Sequence, residues 1–408
     1  MNETKDNREK KSWPNSLPRK WAFLWGAVGI VCAACTSARG GAIAPSEPSE
    51  VRESPVLHSA TQHSPIDENW KQIALRYGIC NVSVAVLRRR ELQSIELTPG
   101  CTPDSATTPD SVFEAASLSK PLFAYAVLKL VEQGKMELDT PIMTYLPNGY
   151  QHRSKVYLPD SSSDQVSDPR LKAVTVRMAL NHTTGLPNWS SGALFFNNSP
   201  GEKWEYSGEG YVLLQRAVEA ITQQNLSQFM EQQIFKPLGM KHSAYAIKPE
   251  IERFIVGGLH NDGTPRPAFP FRVPVAAFTL YTNAHDYGLF LSALLKDQAI
   301  LEQIAASPIP VSQKLNLSWG LGWGLEENKE NVFLWHWGNN PGYRSFVMVS
   351  PATGDGFVMF SNSDKGLAIA EPLGKMIFPG QHRLFRFHLL RDGLSNLMCE
   401  TFDICFSL

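Results

Sequence analysis

The 408-residue chain has no charge excess: 38 basic residues face 39 acidic ones, for a net charge of -1. That argues against a polyanion-binding protein, so nucleic acid is not an expected partner. Six cysteines are present, without the two close pairs of a zinc-type site. No internal repeat is visible, and 29 glycines with 28 prolines suit a loop-rich globular protein. The apolar run from Trp21 to Cys35 falls short of the roughly 20 residues a membrane helix needs. What is there, 43% hydrophobic and 10% aromatic residues, is enough for a large core and two subdomains in one catalytic unit.

The N-terminus differs from the rest. "MNETKDNREKKSWPNSLPRK" is charged and precedes that apolar run, the layout of a signal peptide. Ala33 and Ala34 before Cys35 resemble a bacterial lipoprotein cleavage box, with Cys32 where leucine is usual. Lipidation of Cys35 is one expectation, cleavage after Ala42-Ile43-Ala44 a second, and an uncleaved anchor a third. Residues 1–35 thus read as a signal peptide or membrane anchor. Residues 36–65, rich in Ser, Pro, Ala and Glu, read as a flexible linker. A catalytic domain is expected over 66–380, and 381–408, with Cys399 and Cys405, form a tail of open role. The expected location is the bacterial periplasm or cell envelope, with membrane contact through the N-terminus alone. Oligomeric state is not legible.

Along the domain, a helix is expected over Asp67–Tyr77. Two alternating stretches then flank the polar turn Arg88–Arg90, as in a hairpin. Their ends carry Cys80 and Cys101, which hairpin pairing brings within disulfide reach; two unpaired buried thiols are the alternative. "FEAASLSKPLFAYAVLKLVEQG", Phe113 to Gly134, reads as one long apolar helix closed by its glycine. Helices and long loops follow to about Ile247, including the amphipathic "YVLLQRAVEAITQQ", and another helix covers His285–Leu295. Strands are expected at Asn331–Trp335, Arg344–Val349 and Phe357–Phe360. The pattern is α+β: one antiparallel sheet built from both ends of the chain, flanked by helices, with an inserted, mainly helical subdomain and a cleft where the two meet.

Ser117 alone reads as a helix N-cap. Lys120 changes that reading, because residues three apart share a helix face and its Nζ can reach the serine Oγ. Burial and the positive helix N-terminus both disfavour an ammonium and lower its pKa. A neutral amine beside a hydroxyl is a base beside a nucleophile, and the backbone N–H of Ser117 is a candidate oxyanion donor.

This S-x-x-K at a helix start resembles the active-site helix of the serine β-lactamase and penicillin-binding protein superfamily. The likeness extends to class C β-lactamases and family VIII esterases. "VFEAASLSKP", "HTTGLP", "PLGM", "LYTNAHDYGLFL", "WGLGWGLE" and "HWGNNPGYRS" follow in the family's order, from about Trp70 to Pro379. The resemblance implies the β-lactamase/transpeptidase fold, with no metal or cofactor. It makes Tyr206, in Tyr206-Ser207-Gly208, the counterpart of the Y-x-N tyrosine and a proton relay. It makes His336-Trp337-Gly338 the counterpart of K-T-G, on the inner edge strand, with the Asn339 N–H completing the oxyanion hole. His336 is then expected to hydrogen-bond Tyr206 or a substrate carboxylate. Read singly, Tyr206 is an ordinary half-buried aromatic and His336 a structural histidine.

Two departures bear on substrate. Gly208 lacks the asparagine amide that grips a β-lactam, and His336 with Trp337 replaces a fixed positive charge by a weaker base and apolar bulk. Arg344 is a candidate replacement for that charge. The expected activity is acyl transfer through Ser117 on a small-molecule or peptidoglycan-derived substrate, either a β-lactam or a D-amino-acid peptide. A carboxylesterase is the alternative, and a non-catalytic binder of cell-wall fragments or a partner protein is a third reading. The loops "LPDSSSDQVSDPR" and "NDGTPRPAFPFRVP" are candidates to wall the cleft.

Overall fold

A computed structural model describes residues 67–101, 106–328 and 331–390. Cys35, the linker, Cys399 and Cys405 lie outside the described residues. The chain opens with helix α1 (Asn69–Arg76), then strands β1 (Val82–Arg88) and β2 (Glu91–Leu97). Their turn is sharp because Arg89 and Arg90 both adopt positive φ, 51° and 70°. At the open end of this hairpin Cys80 and Cys101 are joined as a disulfide, their Cα atoms 4.9 Å apart.

The chain then leaves the sheet. The short strand β3 (Phe113–Glu114) leads into a 3-10 turn, Ala116–Leu118, and helix α2 (Ser119–Glu132). The expected single helix from Phe113 is therefore three elements. Ala116 breaks it with φ at +50°, a conformation that costs an alanine about 1–2 kcal/mol. Inside the excursion lie a small hairpin, β4 (Gln151–Arg153) with β5 (Ser163–Gln165), and helices α3 (Val176–Leu180) and α4 (Gly208–Thr222). Strand β6 (Tyr281–Thr282) pairs with β3, and helix Ala284–Lys296 follows.

The chain returns to the sheet through β7 (Ile309–Ser312), β8 (Leu317–Trp319), β9 (Gly324–Glu327), β10 (Val332–Asn340), β11 (Tyr343–Ser350) and β12 (Asp355–Ser361). The eight-stranded antiparallel sheet runs β2-β1-β12-β11-β10-β9-β8-β7, so strands from both ends of the chain meet at β1–β12, with Val82 opposite Ser361. Strand β1 is buried along nearly its whole length because both sheet faces are covered. On one face Ala85, Val347 and Phe360 pack against Leu122 of α2 and Phe290; on the other Val84, Phe346 and Met359 pack against Trp70 and Leu373.

Packing does not stop near residue 380. Leu384, Phe385 and Phe387 are buried in the second core, and His382 binds Glu326 across 2.7 Å. The expected start of the tail therefore lies inside packed chain, which is described as far as Leu390.

Candidate active site

Ser117 is not an α-helix N-cap. It sits in the 3-10 turn before α2, whose capping position is Leu118. Several neighbours hold this turn in its strained shape. Ala115 N–H donates to Leu280 O (2.8 Å), and Ser345 Oγ donates to Ala115 O (2.7 Å). Ser119 Oγ donates to Ala116 O (2.6 Å) and accepts from Leu280 N (3.0 Å). Tyr287 and Tyr245 donate their hydroxyls to Leu118 O and Ser119 O. Such over-determination is what lets a backbone outlier persist at a functional site.

Lys120 is fully buried. Its Nζ donates to Ala277 O at 2.8 Å and lies 3.2 Å from Ser117 Oγ. Desolvation pulls its pKa from 10.5 to about 7, so near neutral pH much of it is free amine. Nζ also lies 4.8 Å from the centre of the Tyr206 ring. Tyr206 stands just before α4, with its hydroxyl buried beside that of Ser117. Burial raises its pKa well above that of an ordinary phenol, and the Ser117 hydroxyl opposes the shift. The group is a phenol at neutral pH, which leaves the role of base to Lys120.

His336 lies on β10, which is flanked by β9 only over Val332–Trp335. The motif thus starts where an interior strand becomes a free edge, and that edge packs against the Ser117 turn. A Cβ on Gly338 would stand 2.2 Å from Ser345 Oγ and 2.4 Å from Ala115 O, so only glycine permits the approach. Asn339 is exposed in the cleft.

The expected roles of His336 and Arg344 need correction. His336 is fully buried and does not line the cleft, so it cannot meet a substrate carboxylate. Its Nδ1 donates to Trp337 O at 2.8 Å and its Nε2 has no partner, so no hydrogen bond joins it to Tyr206, whose ring centre is 6.2 Å away. Burial, with the Lys120 charge, lowers its pKa to about 3; it is neutral. Arg344 is held in the fold by Asp364 Oδ1 (3.0 Å) and the carbonyls of Asn340 and Tyr343. Basic side chains do stand at the cleft, but they are Arg153, Lys155 and Lys203, none legible as site residues from motif spacing.

Sequence reading also missed His182 of "HTTGLP". Its ring centre lies 4.4 Å from that of Tyr206, and its Nδ1 accepts from Ser207 N at 3.1 Å. Burial and the nearby Lys120 push its pKa well down, so it supports the tyrosine as a neutral ring. Gly208 has an unforeseen consequence. Its N–H donates to Asn188 Oδ1 (3.0 Å) and Asn188 O (3.1 Å). A Cβ there would stand 2.6 Å from the Trp189 ring. Trp189 and Asn188 therefore occupy the space where the motif's asparagine side chain would begin, and both line the cleft with Ser117, Tyr206 and Trp337. The cleft holds about 1010 Å³. Of the two loops expected to wall it, "NDGTPRPAFPFRVP" lines an adjoining side pocket, whereas Arg153–Tyr157, just before the other loop, lines the cleft itself.

Such a fold, with a serine and a buried lysine facing a tyrosine beside an edge strand, defines a serine β-lactamase-type scaffold. The chain belongs to the Beta-lactamase family, whose sequence profile matches residues 66–375. It is 26% identical over 281 residues to a penicillin-binding protein of Bacillus subtilis (strain 168), covering 59% of this chain and 58% of that one. It is 28% identical over 188 residues to esterase EstB of Burkholderia gladioli, covering 39% and 44% of the two chains. The chain thus spans little more than half of the first relative and less than half of the second. D-amino acid amidase from Ochrobactrum anthropi SV3 shares the fold, with a TM-score of 0.61 at 23% identity over 76% of this chain and 95% of that one.

Proposed function

We propose that the protein is a serine hydrolase that works through an acyl-enzyme at Ser117. The observation that carries this reading is the buried, partner-poor Lys120 amine, 3.2 Å from the serine oxygen. Ser117 Oγ attacks the substrate carbonyl carbon while its proton passes to Lys120 Nζ. The tetrahedral oxyanion is held by the backbone N–H groups of Ser117 and Asn339. It collapses as the bond to the leaving group breaks, and that group takes the proton from Lys120 through the Tyr206 hydroxyl. Water then adds to the ester, gives a proton back to Ser117 Oγ by the same route, and releases the acid.

Substrate choice within this class lies between a penicillin-recognising enzyme, acting on β-lactams or D-amino-acid peptides of the cell wall, and a carboxylesterase. Penicillin-binding relatives and the basic groups at the cleft favour the first. Trp189 and Trp337 as apolar walls, with no asparagine at position 208, favour the second. The N-terminal sequence adds the proposal of export to a bacterial envelope.

The test is the intact mass of the protein after brief exposure to a penicillin and, separately, to a short-chain p-nitrophenyl ester. An adduct or turnover that vanishes in a folded Ser117→Ala variant is expected. Turnover that survives in the variant overturns the mechanism, and no reaction with either reagent returns the protein to a binding role.

A further inference from the structure

A second cavity of about 350 Å³ opens beside the cleft and shares Tyr157, Phe278, Asn340 and Pro341 with it. Its other walls come mostly from the loop around Phe269 and Phe271. The rings stand nearly perpendicular: Tyr157 to Phe269 at 5.5 Å and 88°, and Phe271 to Phe278 at 5.3 Å and 87°. Edge-to-face walls offer both π faces and ring edges to an incoming ring. Phe269 is 47% exposed, an apolar side chain left in water at the pocket mouth.

One acidic and one basic side chain line this pocket, Glu114 and Arg266. Arg266 is paired with Asp364, which takes its Nε–H at 3.0 Å and is shared with Arg344. Glu114 accepts from Asn340 Nδ2 at 2.7 Å. Burial lifts its pKa to about 7, against that hydrogen bond, so below neutrality the Glu114 carboxyl is largely uncharged. An engineered cavity of about 150 Å³ already accepts benzene, so this one has room for a ring and its linking atoms.

Resting on the acyl-enzyme reading above, we propose that this side pocket is the subsite for an apolar, ring-sized group on the acyl part of the substrate. The acyl side follows from the proton path. The leaving group must be protonated from the Lys120–Tyr206 flank, and the side pocket shares neither Tyr206, Trp204 nor Lys203 with that flank. The preferred substrates are arylacetyl or comparably bulky apolar esters or amides, not acetyl ones.

Two measurements test this. The first compares kcat/KM for p-nitrophenyl phenylacetate and p-nitrophenyl acetate, which share a leaving group. The phenylacetate is expected to lead by about tenfold, the lower end of what one added apolar group achieves. Phe269→Ala, and Ala268→Phe placed to fill the pocket from an exposed position, should shift that ratio toward acetate, mainly through KM. An unchanged ratio in folded variants overturns the proposal. The second measurement is calorimetric titration of the Ser117→Ala protein with phenylacetamide. Saturable binding lost on adding Phe269→Ala supports the pocket even if no turnover is ever seen. No saturable binding overturns it, whatever happens to the catalytic reading.

Discussion

Lys120 is surrounded by Ala277, Ser117 and two tyrosine rings, and among the described residues no carboxylate pairs with it. The pH dependence follows. Below about pH 7 the amine is protonated and cannot accept the serine proton, so kcat/KM should fall tenfold per unit toward acid. Lys120→Ala should cost roughly 10²- to 10⁴-fold, the range for a lost general base. A pH–rate profile with no acid limb near 7 would assign the base elsewhere. The same shift acts on stability. The unfolded chain holds one more proton than the native one between about pH 7 and 10.5, so this group makes stability rise with pH across that window. Gly208 gives a second residue-scale outcome. Gly208→Asn, which restores the family motif on paper, should destabilise by about 1–3 kcal/mol through overpacking and gain no penicillin turnover. Adding Trp189→Ala should recover only part of the loss, because Asn188 O also stands 2.8 Å from the new Cβ; thermal unfolding of both variants decides. Ser117 and Lys120 were legible because they share one segment. Asn188, Trp189 and His182 were not, because what they touch is distant in sequence.

The element with the largest unforeseen role is the pair of 3-10 turns, Arg383–Arg386 and His388–Leu390. His382 pairs with the buried Glu326, whose other oxygen accepts from Leu384 N at 3.0 Å. Burial lowers the His382 pKa, but the Glu326 hydrogen bond and charge outweigh it. Phe387 meets Trp335, Trp337 and Trp204 edge-to-face at ring separations of 5.6, 6.0 and 6.1 Å. Phe387→Ala should therefore cost about 3–5 kcal/mol by chemical denaturation, and should raise KM because Trp337 loses its backing. A cost under about 1 kcal/mol would mean that the turns are only loosely seated. Sequence reading found β1 and β2 from their alternation, β11 and β12 from the apolar runs flanking "SPATGDG", the first part of β10, and the long helices. It missed β7 to β9, short strands interrupted by Pro310 and two glycine turns. It also read through Ala116, since nothing local asks a helix-forming residue for positive φ; Ser345, Leu280 and Tyr287 impose it from afar.

At the scale of the whole molecule, the order of strands, helices and strands indicated one sheet with an insertion. The packing of "RLFRFHLL" was not legible, because the segment is too short to show a period and the aromatic partners of Phe387, namely Trp204, Trp335 and Trp337, lie far upstream. The pairing of β1 with β12 also bears on how the protein is made. Asn81 and Asn362 bond across 281 positions of sequence, and the sheet cannot close until the last strand exists. Contacts of such long range are slow to form, since loop closure must come before their reward. A chain emerging from the ribosome therefore carries its first hairpin without a partner for most of its synthesis. Such a chain completes its sheet later than a protein of equal length built from local contacts.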